Sequence, residues 1–168
     1  MIRDIKRRYW DLRRAIAQGR ASAELSRLNL GFVPWSRYAL QPAAIMTLLN
    51  EVMINRRQLV VEFGCGVSTL YLAKVLSEQG GRLISFEDNV EWANQVRSLL
   101  DREGLSEHVT LVDAPLRKGK LSLANLQWYD EEIVATALEG LEVDLALIDG
   151  PPAFAGSVRL AGQVVERA

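Results

Sequence analysis

Apolar residues along the chain follow two different periods. Ile2, Ile5, Tyr9, Leu12 and Ile16 recur at three- and four-residue steps, with Arg3, Lys6, Arg7, Arg13 and Arg14 on other faces of the same wheel, which predicts an amphipathic basic helix. Residues 19–35 contain Gly19, Gly31 and Pro34 and have weak periodicity, so a short helix with irregular connections is expected there. A second helix is predicted over Gln41–Asn55, with Pro42 in its first turn and Ile45, Leu48, Leu49 and Val52 as its apolar stripe.

Beyond residue 58 the pattern alternates. It predicts strand Leu59–Phe63, helix Ser68–Ser77, strand Leu83–Phe86, helix Val90–Arg102 and strand Val109–Val112. After a loop with Pro115 and Gly119 come a helix over Asp130–Leu138 and a fourth strand over Val143–Ile148, closed by Asp149-Gly150-Pro151-Pro152. Val158–Arg167 reads as a last helix. Short strands alternating with helices call for a parallel sheet covered by helices, because each crossover must travel back along the sheet. The expected fold is α/β: about four parallel strands in a domain spanning 35–168, preceded by a helical extension over 1–34. A sheet ending at the fourth strand leaves an apolar strand at its edge, which invites a second copy or a partner chain to cover it.

At 168 residues, with 49% hydrophobic and 24% charged residues, the chain suits one globular domain. No apolar run reaches the roughly 20 residues needed to cross a bilayer, and charges occupy the place of a signal peptide's apolar centre, so a cytoplasmic location is expected. The net charge of −1 is uneven. Residues 1–20 hold seven Lys/Arg and two Asp/Glu, a net +5 that leaves −6 for the remainder and argues against a broad nucleic-acid-binding surface. The single cysteine, Cys65, allows no intrachain disulfide and no cysteine-based metal cluster, and no metal site is expected.

Ligands of open parallel sheets gather beyond the carboxyl ends of the strands. Each of the four predicted strands carries a carboxylate there: Glu62, Glu87, Asp113 and Asp149. After the first strand, Gly64 and Gly66 let the backbone turn and a ligand approach, and Ser68 and Thr69 open the next helix as capping residues. Glu87 ends the second strand about 20 residues further on, where an acidic side chain accepts from ribose hydroxyls. The third glycine of a dinucleotide loop is replaced by Thr69, and no lysine provides a phosphate-binding loop. Cys65 has no histidine nearby in sequence and reads as structural, as does His108 ahead of the third strand.

Taken together, Glu62-Phe63-Gly64-Cys65-Gly66-Val67-Ser68-Thr69, Phe86-Glu87-Asp88, Leu111-Val112-Asp113-Ala114-Pro115-Leu116 and Ile148-Asp149-Gly150-Pro151-Pro152 resemble successive motifs of class I S-adenosylmethionine-dependent methyltransferases. The likeness runs from about Trp35 to Pro152, and Trp128-Tyr129-Asp130 resembles the subset with an Ile-Asp-Gly-Pro-Pro fourth motif. The resemblance implies a Rossmann-like fold, S-adenosylmethionine as cofactor, and a small-molecule or sugar-type methyl acceptor. It further implies that Glu62 supports the glycine loop and the cofactor's amino group, with Gly64 and Gly66 against the cofactor and Ser68 and Thr69 opening the helix beside it. Glu87, with Asp88 next to it, would hold the ribose, Asp113 and Ala114 would meet the adenine, and Ser36 would approach the cofactor. Asp149 would lie near the methionine moiety or the acceptor and is the candidate base. The family's fifth strand and final hairpin are not recognisable, so the sheet is expected to be incomplete at its C-terminal side. Two other readings stand beside a methyltransferase: a non-catalytic cofactor-binding or interaction module, and an NAD-dependent oxidoreductase.

Overall fold

The computed structural model of the chain describes residues 2–119 and 127–151, together with the backbone of 163–166. Helix α1 (Ile2–Ser26) is a single element that passes through Gly19. The break expected near Gly19 is absent because one interior glycine costs only about 1 kcal/mol against alanine, and Ala15, Ala17, Ala21 and Ala23 carry the helix onward. Its C-terminal half docks on α2 (Pro42–Ile54): Ala21 and Leu25 are buried, and Gln18 Oε1 accepts the Ala43 N–H at 2.9 Å. In α2, Pro42 occupies the first turn, where its missing N–H has no intrahelical role, and Ile45, Leu48, Leu49 and Val52 are all buried.

The main sheet contains β1 (Leu59–Phe63), β2 (Arg82–Glu87), β3 (Val109–Asp113), β6 (Leu145–Ile148) and β7 (Gln163–Glu166), in the order β3-β2-β1-β6-β7. The first four are parallel, and α3 (Val67–Gln79) and α4 (Val90–Glu103) are the crossovers from β1 to β2 and from β2 to β3. Between β3 and β6 lie a two-residue hairpin, β4 (Leu116–Arg117) with β5 (Trp128–Tyr129), and the short helix α5 (Glu131–Ala137), whose first N–H groups are capped by Asp130. Strands of two residues are too short to leave a period in the sequence, so this hairpin was not expected.

The expectation of a helix over Val158–Arg167 is corrected in part: residues 163–166 form a strand antiparallel to β6, with Leu145 opposite Glu166 and Ile148 opposite Gln163. Residues 158–162 and 167 lie outside the described residues. The unpaired edge of β6 supplies hydrogen-bond partners that no local pattern in Gln163–Glu166 announces. For the same reason β6 is not the sheet edge that the strand count implied.

Central strand β1 alternates its contacts between the two faces. Val60 joins Leu83, Leu145 and Leu147 in the core beneath α2 and α3, while Val61 joins Ile84, Phe86 and Tyr129 in the core that α5 covers. Glu62 therefore points toward α3, and its register partner on β2 is Ser85. At the opposite end of the strand, Asp144 Oδ2 accepts the N–H groups of Gln58 and Leu59, both at 2.8 Å, which fixes the entry of β1 beside β6.

Candidate functional site

The chain leaves β1, builds β2 and β3 on one side, and returns to place β6 on the other, so strand order reverses at β1. A crevice opens at the carboxyl ends of such strands. Phe63 C=O accepts the N–H groups of Asp149 (3.0 Å) and Gly150 (2.7 Å), drawing the two strand ends together. Gly64 has φ +95°, a conformation that L side chains rarely adopt, and a Cβ there would stand 3.0 Å from the Gly150 nitrogen. Glycine is required at 64 for both reasons.

Beneath this turn, Glu62 is fully buried and accepts three hydroxyl donors: Ser68 Oγ at 2.5 Å on Oε1, with Thr69 Oγ1 at 2.6 Å and Ser85 Oγ at 2.7 Å on Oε2. Thr69 Oγ1 also accepts the Gly66 N–H at 2.7 Å, so the carboxylate holds the glycine loop through a hydroxyl relay. Burial pushes the Glu62 carboxyl up to about 7, against the opposing pull of the three hydroxyls, and Asp149 adds a smaller push in the same direction.

Glu87 closes the other side of the loop. Its Oε2 accepts the Cys65 N–H at 3.0 Å, and its Oε1 accepts the N–H groups of Asp88 (3.1 Å) and Asn89 (2.9 Å). Burial raises its pKa, while the backbone donors of Asn89 and Cys65 act against that rise. Trp92, in the first turn of α4, donates its indole N–H to Cys65 C=O at 2.8 Å and so pins the loop to the helix.

These elements enclose a cavity of about 500 Å³. Of the residues singled out from the sequence, Ser36, Gly64, Gly66, Ser68, Glu87, Asp88 and Asp149 line it. Glu62 and Thr69 lie behind the loop as its supports and do not line the cavity. Asp113 is turned away, bound to Arg97 Nη2 at 2.8 Å, and Ala114 is packed in the core around Tyr129 and Phe86. Cys65 lines the cavity but is 8% exposed, and burial raises its thiol pKa, as expected of a structural cysteine. Among the described residues no three His, Cys, Asp or Glu side chains converge as metal ligands.

Several lining residues were not among the site residues expected from the sequence, although Tyr129 lay in a recognised motif. Asn89 and Trp92 at the start of α4, Tyr38 ahead of α2 and Tyr129 of β5 enter the wall from three separate segments. Tyr129 is 1% exposed, its ring packs against Phe63 and Trp128, and its buried hydroxyl has no hydrogen-bond partner among the described residues. Burial, with nearby Glu87 and Asp88, raises its pKa and keeps the phenol protonated as a donor. Asp149 is pushed up to about 6 by burial. Among the described residues no Lys, Arg or His lines the cavity, whereas three carboxylates do, with Glu62 behind them.

A family model described as "Methyltransferase domain" matches residues 61–167. Among solved structures, PaMTH1, an SAH-bound methyltransferase of Podospora anserina, is 16% identical with a TM-score of 0.60, covering 84% of this chain and 57% of that one. Cofactor-bound Rv0187 from MTB is 23% identical (TM-score 0.52; 79% and 52% covered), and an O-methyltransferase from Bacillus cereus in complex with SAH is 20% identical (TM-score 0.51; 79% and 53%). The chain spans about half the length of these solved proteins, and the likeness is one of fold. No curated protein matches the chain.

Proposed function

Because the chain belongs to the methyltransferase-domain family, we propose that it binds S-adenosylmethionine in the switch-point cavity and takes part in methyl transfer to a small-molecule acceptor. A cytoplasmic site of action belongs to the same proposal. The observation that carries it is the charge of the wall: Glu87, Asp88 and Asp149 line the cavity, Glu62 stands behind it, and no cationic side chain among the described residues faces them. Such a wall attracts a cation and repels a pyrophosphate, which separates this ligand from a nicotinamide dinucleotide.

Three further features suit the same ligand. A volume of about 500 Å³ falls within the usual range of small-ligand sites. Gly64 and Gly150 keep the floor free of side chains where a Cβ would collide. The Tyr129 hydroxyl offers a buried donor left unmatched among the described residues.

Bound there, S-adenosylmethionine would supply a methyl group already activated by its positively charged sulfur. The chain's own contribution is alignment and electrostatics. Glu87 spends three acceptor positions on backbone N–H groups and keeps capacity on Oε2, so it offers one further acceptor to a ribose hydroxyl while fixing the loop. The opening turn of α3, with Val67 and Ser68 in the wall, presents the positive end of the helix to a carboxylate. Asp149, ionised above pH about 6, is placed to take a proton from an acceptor hydroxyl. Pro34, Leu40, Tyr38 and Trp92 give the wall the apolar surface that excludes water.

Calorimetric titration of the chain with S-adenosylhomocysteine and with NAD tests this reading. Saturable binding of S-adenosylhomocysteine, with none of NAD, is the expected result; the reverse overturns it.

A further inference from the structure

Helix α1 has two opposed faces, and only one of them is used. At about 100° per residue, Gln18, Ala21 and Leu25 share the face that docks on α2, and Ile5, Tyr9, Leu12 and Ile16 fall roughly half a turn away from it. Those four side chains are 46–62% exposed, although aliphatic and aromatic residues at this spacing ordinarily mark a buried stripe. The stripe lies on the side of the helix opposite its docked face.

Charge decides what fits. Basic residues border the stripe on both sides, Lys6 and Arg13 on one and Arg8 on the other, and residues 1–20 carry a net +5 while the remainder of the chain carries −6. Trp10 is 58% exposed beside Tyr9, and the Arg13 guanidinium lies over both rings. An antiparallel pairing of two copies through this stripe would set Lys6 and Arg13 of the two helices beside one another, a like-charge contact that opposes self-association. Among the described residues no helix is long and apolar enough to cross a membrane.

We propose that α1 is an anionic-membrane docking element, lying in the plane of the lipid headgroups with Ile5, Tyr9, Leu12 and Ile16 inserted and its basic borders against phosphate and carboxylate groups. Acidic headgroups attract α1 and repel the negatively charged domain, so the helix alone makes contact and the domain stands off the surface. The inference does not depend on methyl transfer.

Co-sedimentation of the full chain with vesicles tests it. The protein is expected to pellet with phosphatidylcholine–phosphatidylserine vesicles, far less with phosphatidylcholine alone, and to be released by high salt. Leu12→Ser combined with Ile16→Ser abolishes pelleting while moving the melting temperature little, since both side chains lie on the exposed side of the helix, away from the face that docks on α2. Lys6→Gln and Arg13→Gln each weaken binding about fivefold. Failure to pellet with acidic vesicles, or pelleting indifferent to the serine changes, overturns the proposal. So does concentration-dependent dimerisation by light scattering that the serine changes abolish, which would assign the stripe to a second copy; stable capture by a protein in the absence of lipid binding counts the same way.

Discussion

A Cβ on Gly150 would collide with the phenol oxygen of Tyr129. The two residues come from different segments, β5 and the turn after β6, and each depends on the other: Gly150 leaves room for the hydroxyl, which is buried with no hydrogen-bond partner among the described residues, on a ring that lines the cavity. A buried donor without a partner costs about 1–3 kcal/mol, a cost that a ligand accepting its hydrogen bond removes.

Tyr129→Phe therefore separates folding from binding. Removal of the hydroxyl leaves the melting temperature of the ligand-free protein unchanged or higher, while affinity for S-adenosylhomocysteine falls about five- to tenfold. Gly150→Ala destabilises the protein, and adding Tyr129→Phe recovers part of that loss. Full recovery is not expected, since the new methyl also meets Gly64 at 3.1 Å.

The hydroxyl cage around Glu62 makes stability depend on pH. Its carboxyl is raised from the usual 4.5 to about 7 in the folded protein, so the folded state holds the proton more tightly than the unfolded chain. The associated stability is fully present below pH 4.5 and is lost as pH rises to about 7, by an amount on the order of 3 kcal/mol. Asp149, raised from 3.8 to about 6, adds to the same trend at slightly lower pH. Urea denaturation across this range should show the decline, and Glu62→Gln should flatten its upper part.

The two glycines of the loop respond differently to substitution. Gly64→Ala forces an L side chain to φ +95° and against the Gly150 nitrogen, which costs about 1–3 kcal/mol and lowers the melting temperature. Gly66 has an extended backbone (φ 170°), and a methyl there reaches only Trp92 at 4.0 Å, so Gly66→Ala retains its melting temperature and loses ligand affinity, because Gly66 lines the cavity. Thermal melts with and without S-adenosylhomocysteine distinguish the two outcomes.

Binding of a cation to this wall should release protons. Affinity for S-adenosylmethionine is expected to rise as pH passes about 6, where Asp149 ionises, and Asp149→Asn should remove that rise while leaving the fold intact. Calorimetry in two buffers of different ionisation enthalpy measures the proton release directly. The neutral thioether of S-adenosylhomocysteine should show a weaker dependence than the sulfonium.

Local sequence determined much of this protein. The extents of β1, α3, β2, α4 and β3 follow from short β-branched and aliphatic runs separated by glycines and helical stripes, patterns that act over a few residues. The loop from Gly64 to Thr69 and a carboxylate at each parallel strand end were legible for the same reason. Tertiary structure decided which of those groups serve the cavity. Asp113 is drawn off by Arg97, a residue of α4 sixteen positions earlier, and Ala114 is absorbed into the core beneath Tyr129. Glu62 supports the loop from behind because β-strand alternation aims it at α3, where Ser68 and Thr69 meet it, with Ser85 delivered by the register of β2. Trp92 and Tyr129 became wall residues only when α4 and β5 packed against the strand ends, and Gln163–Glu166 became a strand only because β6 offered it an edge. Periodicity reports which side of its own element a residue occupies; long-range packing sets what stands opposite.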